Sequence, residues 1–123
     1  MSKFTVVVCD GPYGKQRIYS ALRFVLGALF DDHEVNLFLF EDAVITAKAG
    51  QDPQEYPAEK DARLPNAEIM LREAMKNGAK VIACGACCQE RGISPDEIIE
   101  DITLGTILDL VEWVDEADKV VNF

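Results

Sequence analysis

The stretch Thr5-Val6-Val7-Val8-Cys9-Asp10-Gly11-Pro12-Tyr13-Gly14 decides the fold. Its opening run is β-branched without polar alternation, as a strand buried on both faces requires. The Asp-Gly-Pro-Tyr-Gly cluster that follows is made of turn formers and stops the strand. Beyond it Ile18, Ala21, Leu22, Val25, Leu26 and Leu29 recur at helical spacing and give one apolar face. A doubly buried strand feeding an amphipathic helix is the first half of a βαβ unit.

The rest of the chain repeats that alternation. Asp31, Asp32 and His33 turn the chain into a second apolar run, Val35 to Phe40. Residues 41–65 are polar and punctuated by Gly50, Pro53, Pro57 and Pro65, with a short helix expected over 43–49. A connection of that length suits a lid, a binding loop or an interface element. Asn66 is placed to cap a helix reaching about Asn77, with Gly78 as its left-handed stop. Lys80 to Ala83 is a short strand running into the cysteines, and a helix is expected over Cys84 to Arg91. Ser94-Pro95-Asp96-Glu97 carries an N-cap, a proline at the first helical position and the glutamate of a capping box. Ile102 to Leu104 and Lys119 to Asn122 read as closing strands, separated by a helix striped with Ile107, Leu110, Val111 and Val114. The expectation is one α/β domain over residues 1–123, three-layer α/β/α, with a mainly parallel sheet of about five strands.

Charge and composition exclude several function classes. The apolar share of 49% and charged share of 28% belong to an ordinary globular chain. Its apolar runs are strand-sized, too short to cross a bilayer, so no membrane partner is expected. Met1-Ser2-Lys3-Phe4 enters a strand with no signal-peptide pattern, which predicts a cytoplasmic protein. A net charge of −10 argues against nucleic acid, whose phosphates need clustered Lys and Arg. It suits solubility and, more weakly, a basic partner protein.

Three of the four cysteines fall in Cys84-Gly-Ala-Cys87-Cys88, so they serve local chemistry and cannot staple distant parts of the chain. In a reducing compartment such thiols are free, catalytic or metal-bound. Cys84 ends a strand, where open parallel sheets collect reactive groups. At the start of a helix, unpaired N–H groups and the dipole favour thiolate at Cys84 and Cys87. Spacings of three and four bring Cys84, Cys87 and Cys88 to one side, and Arg91 adds positive charge. Cys9, with Asp10, opens onto the same face if the first and third strands are neighbours. Four readings compete: packed inert thiols; a zinc or iron–sulfur site with Cys9 or His33 as a further ligand; a dithiol switch of Cys84 with Cys87 or Cys88; and a persulfide carried on Cys84.

The remaining polar residues have plainer readings. Gly11 to Lys15 lacks phosphate-loop spacing and is a tight turn, so no cofactor site is read there. His33, beside Asp31, Asp32 and Glu34, reads as a surface residue. Glu41 and Asp42 follow the second strand at the active edge, for acid–base work or for capping a helix. Trp113 fits either core packing or a subunit contact.

Taken together, several motifs resemble those of the DsrE/DsrF family of sulfur-relay subunits. They are Val6-Val7-Val8 leading to Gly11-Pro12-Tyr13-Gly14-x-Gln16, then Glu41-Asp42-Ala43-Val44, Cys84 with Arg91-Gly92-Ile93, Ile102-Thr103-Leu104 and the closing Asp118 to Phe123. The resemblance covers nearly the whole chain. It implies a persulfide-carrying cysteine at Cys84, with seven residues between it and the Gly of an Arg-Gly pair. It also implies trimers or hexamers, homomeric or with paralogous subunits, and sulfur-donor and sulfur-acceptor proteins as partners. No cofactor or metal is expected. Cys87, Cys88 and Cys9 are additions to the simplest family pattern, as resolving thiols, ligands or packing.

Overall fold

The computed structural model describes residues 1–51 and 66–123. The lid or interface reading of the 41–65 connection rests largely on residues 52–65, which lie outside the described residues. Five strands form one sheet: β1 (Lys3–Val8), β2 (Glu34–Leu39), β3 (Lys80–Cys84), β4 (Thr103–Gly105) and β5 (Lys119–Asn122). Four α-helices accompany them: α1 (Arg17–Phe30), α2 (Ala67–Lys76), α3 (Gly85–Glu90) and α4 (Ile107–Glu116). All strand pairs are parallel and the order is β4-β3-β2-β1-β5. The expected three-layer α/β/α architecture is present.

The order has a consequence for where helices lie. From β1 to β4 the chain steps steadily in one direction, and right-handed crossovers keep those connections on one face. The last step runs back across the sheet to β5, which sends α4 to the other face. Side chains agree. Phe4, on the same face as Val6 and Val8, packs its ring edge-on against Phe24 of α1. Thr5, on the opposite face, donates its hydroxyl to the Trp113 carbonyl of α4 at 2.9 Å. Trp113 also stacks edge-on against Phe38, which settles it as a packing residue of the second layer.

Burial divides the layers unequally. Val6, Val8, Leu37, Leu39, Val81 and Ala83 pair across three strands and are buried against Ile18, Leu22 and Val25 of α1 and Leu71 of α2. No residue of α4 is buried. Among the described residues, no helix is long and apolar enough to cross a membrane.

Local signals in the sequence act where they were expected, with one exception. Asn66 Oδ1 accepts the Ile69 N–H at 3.0 Å to start α2, and Gly78 at φ +109° ends it. Residues 41–47 form a 3₁₀ helix rather than a segment over 43–49. The Ser94 start produces only one 3₁₀ turn, Pro95–Glu97, although Glu97 does accept the Ser94 N–H. Tertiary pairing overrides the local signal: Ile99 N–H donates to the Ala47 carbonyl and Ala49 N–H to the Glu97 carbonyl, both at 2.8 Å. With the Glu97 carbonyl and the Ile99 N–H taken by that bridge, the helix cannot continue past the first turn.

Candidate functional site

The chain leaves β3 toward α3 and β4 toward α4, on opposite faces. The carboxyl ends of β3 and β4 therefore flank the point where connections diverge, which in open α/β sheets forms a crevice. Cys84 stands there, in register with Gly105 of β4. Its Sγ accepts the Cys87 N–H at 3.4 Å, so the thiol itself caps α3. Gly85 permits the close approach: a Cβ at that position would stand 3.3 Å from the Gly105 carbonyl oxygen.

Cys84, Cys87 and Cys88 are brought together as the spacing predicts, and all are buried, at 6%, 8% and 2% exposure. None of the four cysteines is in a disulfide. Arg91 holds the outer side. Its Nε donates to Asp42 Oδ1 at 2.7 Å and its Nη1 to the Cys87 carbonyl at 3.1 Å, tying α3 to the segment after β2. Glu41, in that same segment, donates its N–H to Cys87 Sγ at 3.2 Å.

Burial governs the titration of Cys87 and Cys88. Cys87 is pushed up to about 11 by burial and by its hydrogen bond with Cys84, which together outweigh the Glu41 N–H and the Arg91 charge. Cys88 is raised by burial and then by Cys84. The expectation that the helix start favours thiolate fails at Cys87. A helix of six residues has little dipole to offer, and desolvation of a charged sulfur costs more.

Cys9 sits differently from the expectation. β2 separates β1 from β3, so Cys9 and Cys84 do not end adjacent strands. The link between them is Glu41: burial first, then the neighbouring Glu41 carboxylate, raises the Cys9 thiol. Cys9 is half-buried, the most accessible of the four. Beside it, an open hollow of about 460 Å³ is walled by Asp10, Tyr13, Lys15, Asp42 and Ile45.

His33 does not join the thiols. It lies at the amino end of the sheet, where its Nδ1 accepts the Ser2 N–H at 2.9 Å and its ring packs near Phe4. A second hollow, of about 290 Å³, is also at that end and touches none of the cysteines. The zinc or iron–sulfur reading thus loses His33 as a ligand. Among the described residues no three His, Cys, Asp or Glu side chains converge as a metal-ligating group. The sequence did not reveal the pairing of Asp42 with Arg91 or the Glu41 N–H on Cys87. Their only signal was two acidic residues at the carboxyl end of a strand.

A model of the DsrE/DsrF-like family matches residues 2–123. The chain belongs to the DsrE/DsrF-like family. An uncharacterized protein of Methanocaldococcus jannaschii is 46% identical to it over 121 residues, covering 98% of this chain and 99% of that one. Protein YchN of Escherichia coli is 30% identical over 125 residues, covering both chains fully. The crystal structure of YchN superposes with a TM-score of 0.87 over the full length of both chains. A protein of unknown function from Methanobacterium thermoautotrophicum, 12% identical, shares the fold over both full chains with a TM-score of 0.74.

Proposed function

We propose that this DsrE/DsrF-like chain is an intracellular sulfur carrier, sulfurtransferase-like in chemistry, that holds sulfane sulfur as a persulfide on Cys84. The observation that carries the reading is the placement of Cys84 Sγ at the crevice end of β3, capping α3 and receiving a backbone N–H. The Cys84 thiolate attacks the terminal sulfur of a donor persulfide, and the donor thiolate departs. Cys84 then bears the extra sulfur as R–S–S⁻. An acceptor thiolate takes that sulfur and frees Cys84, so the two transfers are isoelectronic and need no external oxidant.

The burial of Cys84 means that donor and acceptor cysteines reach it only when the covering segments part. The family resemblance also implies a homotrimer or homohexamer, with or without paralogous subunits. Supporting that part of the reading, α4 exposes Ile107, Leu108, Val111 and Val114 on a helix with no buried residue.

Intact-mass analysis after incubation with a polysulfide donor tests the assignment. Before any sulfide is released, the native chain should gain one sulfur atom, and Cys84→Ser should gain none. An added sulfur that persists in Cys84→Ser overturns it. The contact between the Cys84 and Cys87 thiols favours a second reading, a dithiol switch. A chain isolated with Cys84 linked to Cys87, and unreactive toward polysulfide once reduced, selects that one. Thiols that resist alkylation until the protein unfolds leave a non-catalytic assembly module.

A further inference from the structure

Two thiols on α3 lie beside Cys84, yet their surroundings differ. Among the described residues, Cys87 is the α3 thiol whose sulfur receives a backbone donor, the Glu41 N–H. That donor belongs to a residue in an unfavourable conformation. Glu41 has φ +51°, and the other two non-glycine residues at positive φ among the described residues are Asp32 and Asp101. Aspartate tolerates the left-handed region through local hydrogen bonds, whereas a longer side chain is strained there. Strain of that kind persists only where the surroundings over-determine it.

The surroundings here do so from several sides. Phe40 N–H is held by the Val8 carbonyl and Ala43 N–H by the Cys9 carbonyl, at 2.9 and 3.2 Å. The next residue, Asp42, is clamped by Arg91, which also binds the Cys87 carbonyl. While its N–H meets Cys87, the Glu41 carboxylate neighbours the Cys9 thiol. One strained residue thereby serves two thiols.

We propose that Glu41 is a positioning residue whose N–H, locked by its left-handed backbone and the Asp42–Arg91 pair, selects Cys87 over Cys88 as the thiol that discharges a Cys84 persulfide. This rests on the sulfur-carrier reading and extends it. The Cys87 thiolate attacks the Sγ of Cys84 in Cys84–S–SH. The Cys84–Cys87 bond forms, the bond to the outer sulfur breaks, and its electron pair leaves with HS⁻. The sulfane sulfur is reduced to sulfide while the two thiols are oxidised to a disulfide, and a dithiol reductant returns the site to its starting state. The groups acting on Cys87 are the Cys84 thiol, the Arg91 guanidinium and the Glu41 N–H; the Glu41 and Asp42 carboxylates and Cys88 stand in the same cluster. The Glu41 donor favours the thiolate needed for attack.

Two measurements on the full chain test this. In the first, polysulfide-loaded protein is followed by sulfide release and peptide mapping. The native chain should release sulfide and end with Cys84 linked to Cys87. Cys87→Ser should retain the persulfide, and Glu41→Pro, which has no N–H to donate, should release sulfide about tenfold more slowly, the effect of losing one hydrogen bond to a charged sulfur. Glu41→Gly, which keeps the N–H and accepts positive φ, should restore the native rate. In the second, the pH midpoint of Cys87 alkylation is read without any sulfur donor, so it stands even if Cys84 carries no sulfur. Glu41→Pro should move that midpoint upward by roughly one unit and Glu41→Gly should not, while Asp42→Ala, which frees the lock, should move it in the same direction as Glu41→Pro. A Cys84–Cys88 link, or a Cys87 midpoint indifferent to both Glu41→Pro and Asp42→Ala in normally folded proteins, overturns the proposal.

Discussion

The helices α1 and α4 carry apolar stripes of the same period and end up in opposite circumstances. α1 buries Ile18, Ala21, Leu22, Val25 and Ala28 against β1, β2 and α2. α4 touches the sheet chiefly through Trp113 and leaves Ile107, Leu108, Val111 and Val114 exposed. What separates them is the strand order. Successive steps in one direction stack the intervening connections over one face, while the single return to β5 leaves one helix to cover the other. An amphipathic pattern therefore states that a face will be covered, not that this chain alone will cover it.

The contrast is breakable by mutation. The largest effect is expected in the sealed layer: Leu22, 1% exposed, when changed to Ala should lower the unfolding free energy by about 3 kcal/mol in urea. On α4, Leu108→Ser at 73% exposure should change it by less than about 0.5 kcal/mol if the chain stands alone. A loss at Leu108 approaching that at Leu22, with a smaller species by light scattering, shows that another subunit covers α4 in solution.

A second, smaller effect is expected where the α4 layer meets the reactive edge. A Cβ at Gly105 would stand 2.5 Å from Ile82 Cγ2 and 2.8 Å from Asp109 Oδ2. Gly105→Ala should therefore cost about 2 kcal/mol and slow thiol chemistry at Cys84, its register partner. Unchanged thermal stability would mean that β4 is free to shift on that layer.

A smaller effect than that at Gly105 concerns Glu68, the buried charge of the sealed side among the described residues, which Arg72 and the Gln51 N–H bind. Burial pushes its carboxyl up, but those hydrogen bonds outweigh it and hold the carboxyl below its usual range. A folded pKa below the unfolded one stabilises at all pH above the unfolded value, and that contribution is lost as pH falls through the folded value. Glu68→Gln should cost about 1 kcal/mol at neutral pH and progressively less in acid. A cost that stays constant with pH would leave packing, not charge, as the source.

Much of the architecture was legible because its causes are local. The strand before Gly11 and the α1 stripe are set by residues within one or two turns. So are the Asn66 cap, the Gly78 stop and the position of Cys84 between β3 and α3. Turn chemistry and hydrophobic period act at that range. The misread elements were those that a distant segment overrode. Ser94 to Glu97 carries a sound helix start, yet the Glu97 carbonyl and the Ile99 N–H pair with the 47–49 segment.

The same boundary runs through the reactive edge. From sequence alone come the three clustered thiols, Cys84 at a strand end, and Arg91 one turn beyond Cys87. Tertiary structure decided the strand order that sets Cys9 apart from Cys84. It also decided the pairing of Arg91 with Asp42 across 49 residues and the Glu41 N–H on Cys87 across 46. Neither contact has a sequence signature, because a backbone N–H belongs to almost every residue and a left-handed glutamate resembles any other glutamate. Spacing put the sulfurs side by side; only the packing of separate strands brought the Glu41 N–H to Cys87, and burial decided how hard Cys87 and Cys88 are to ionise.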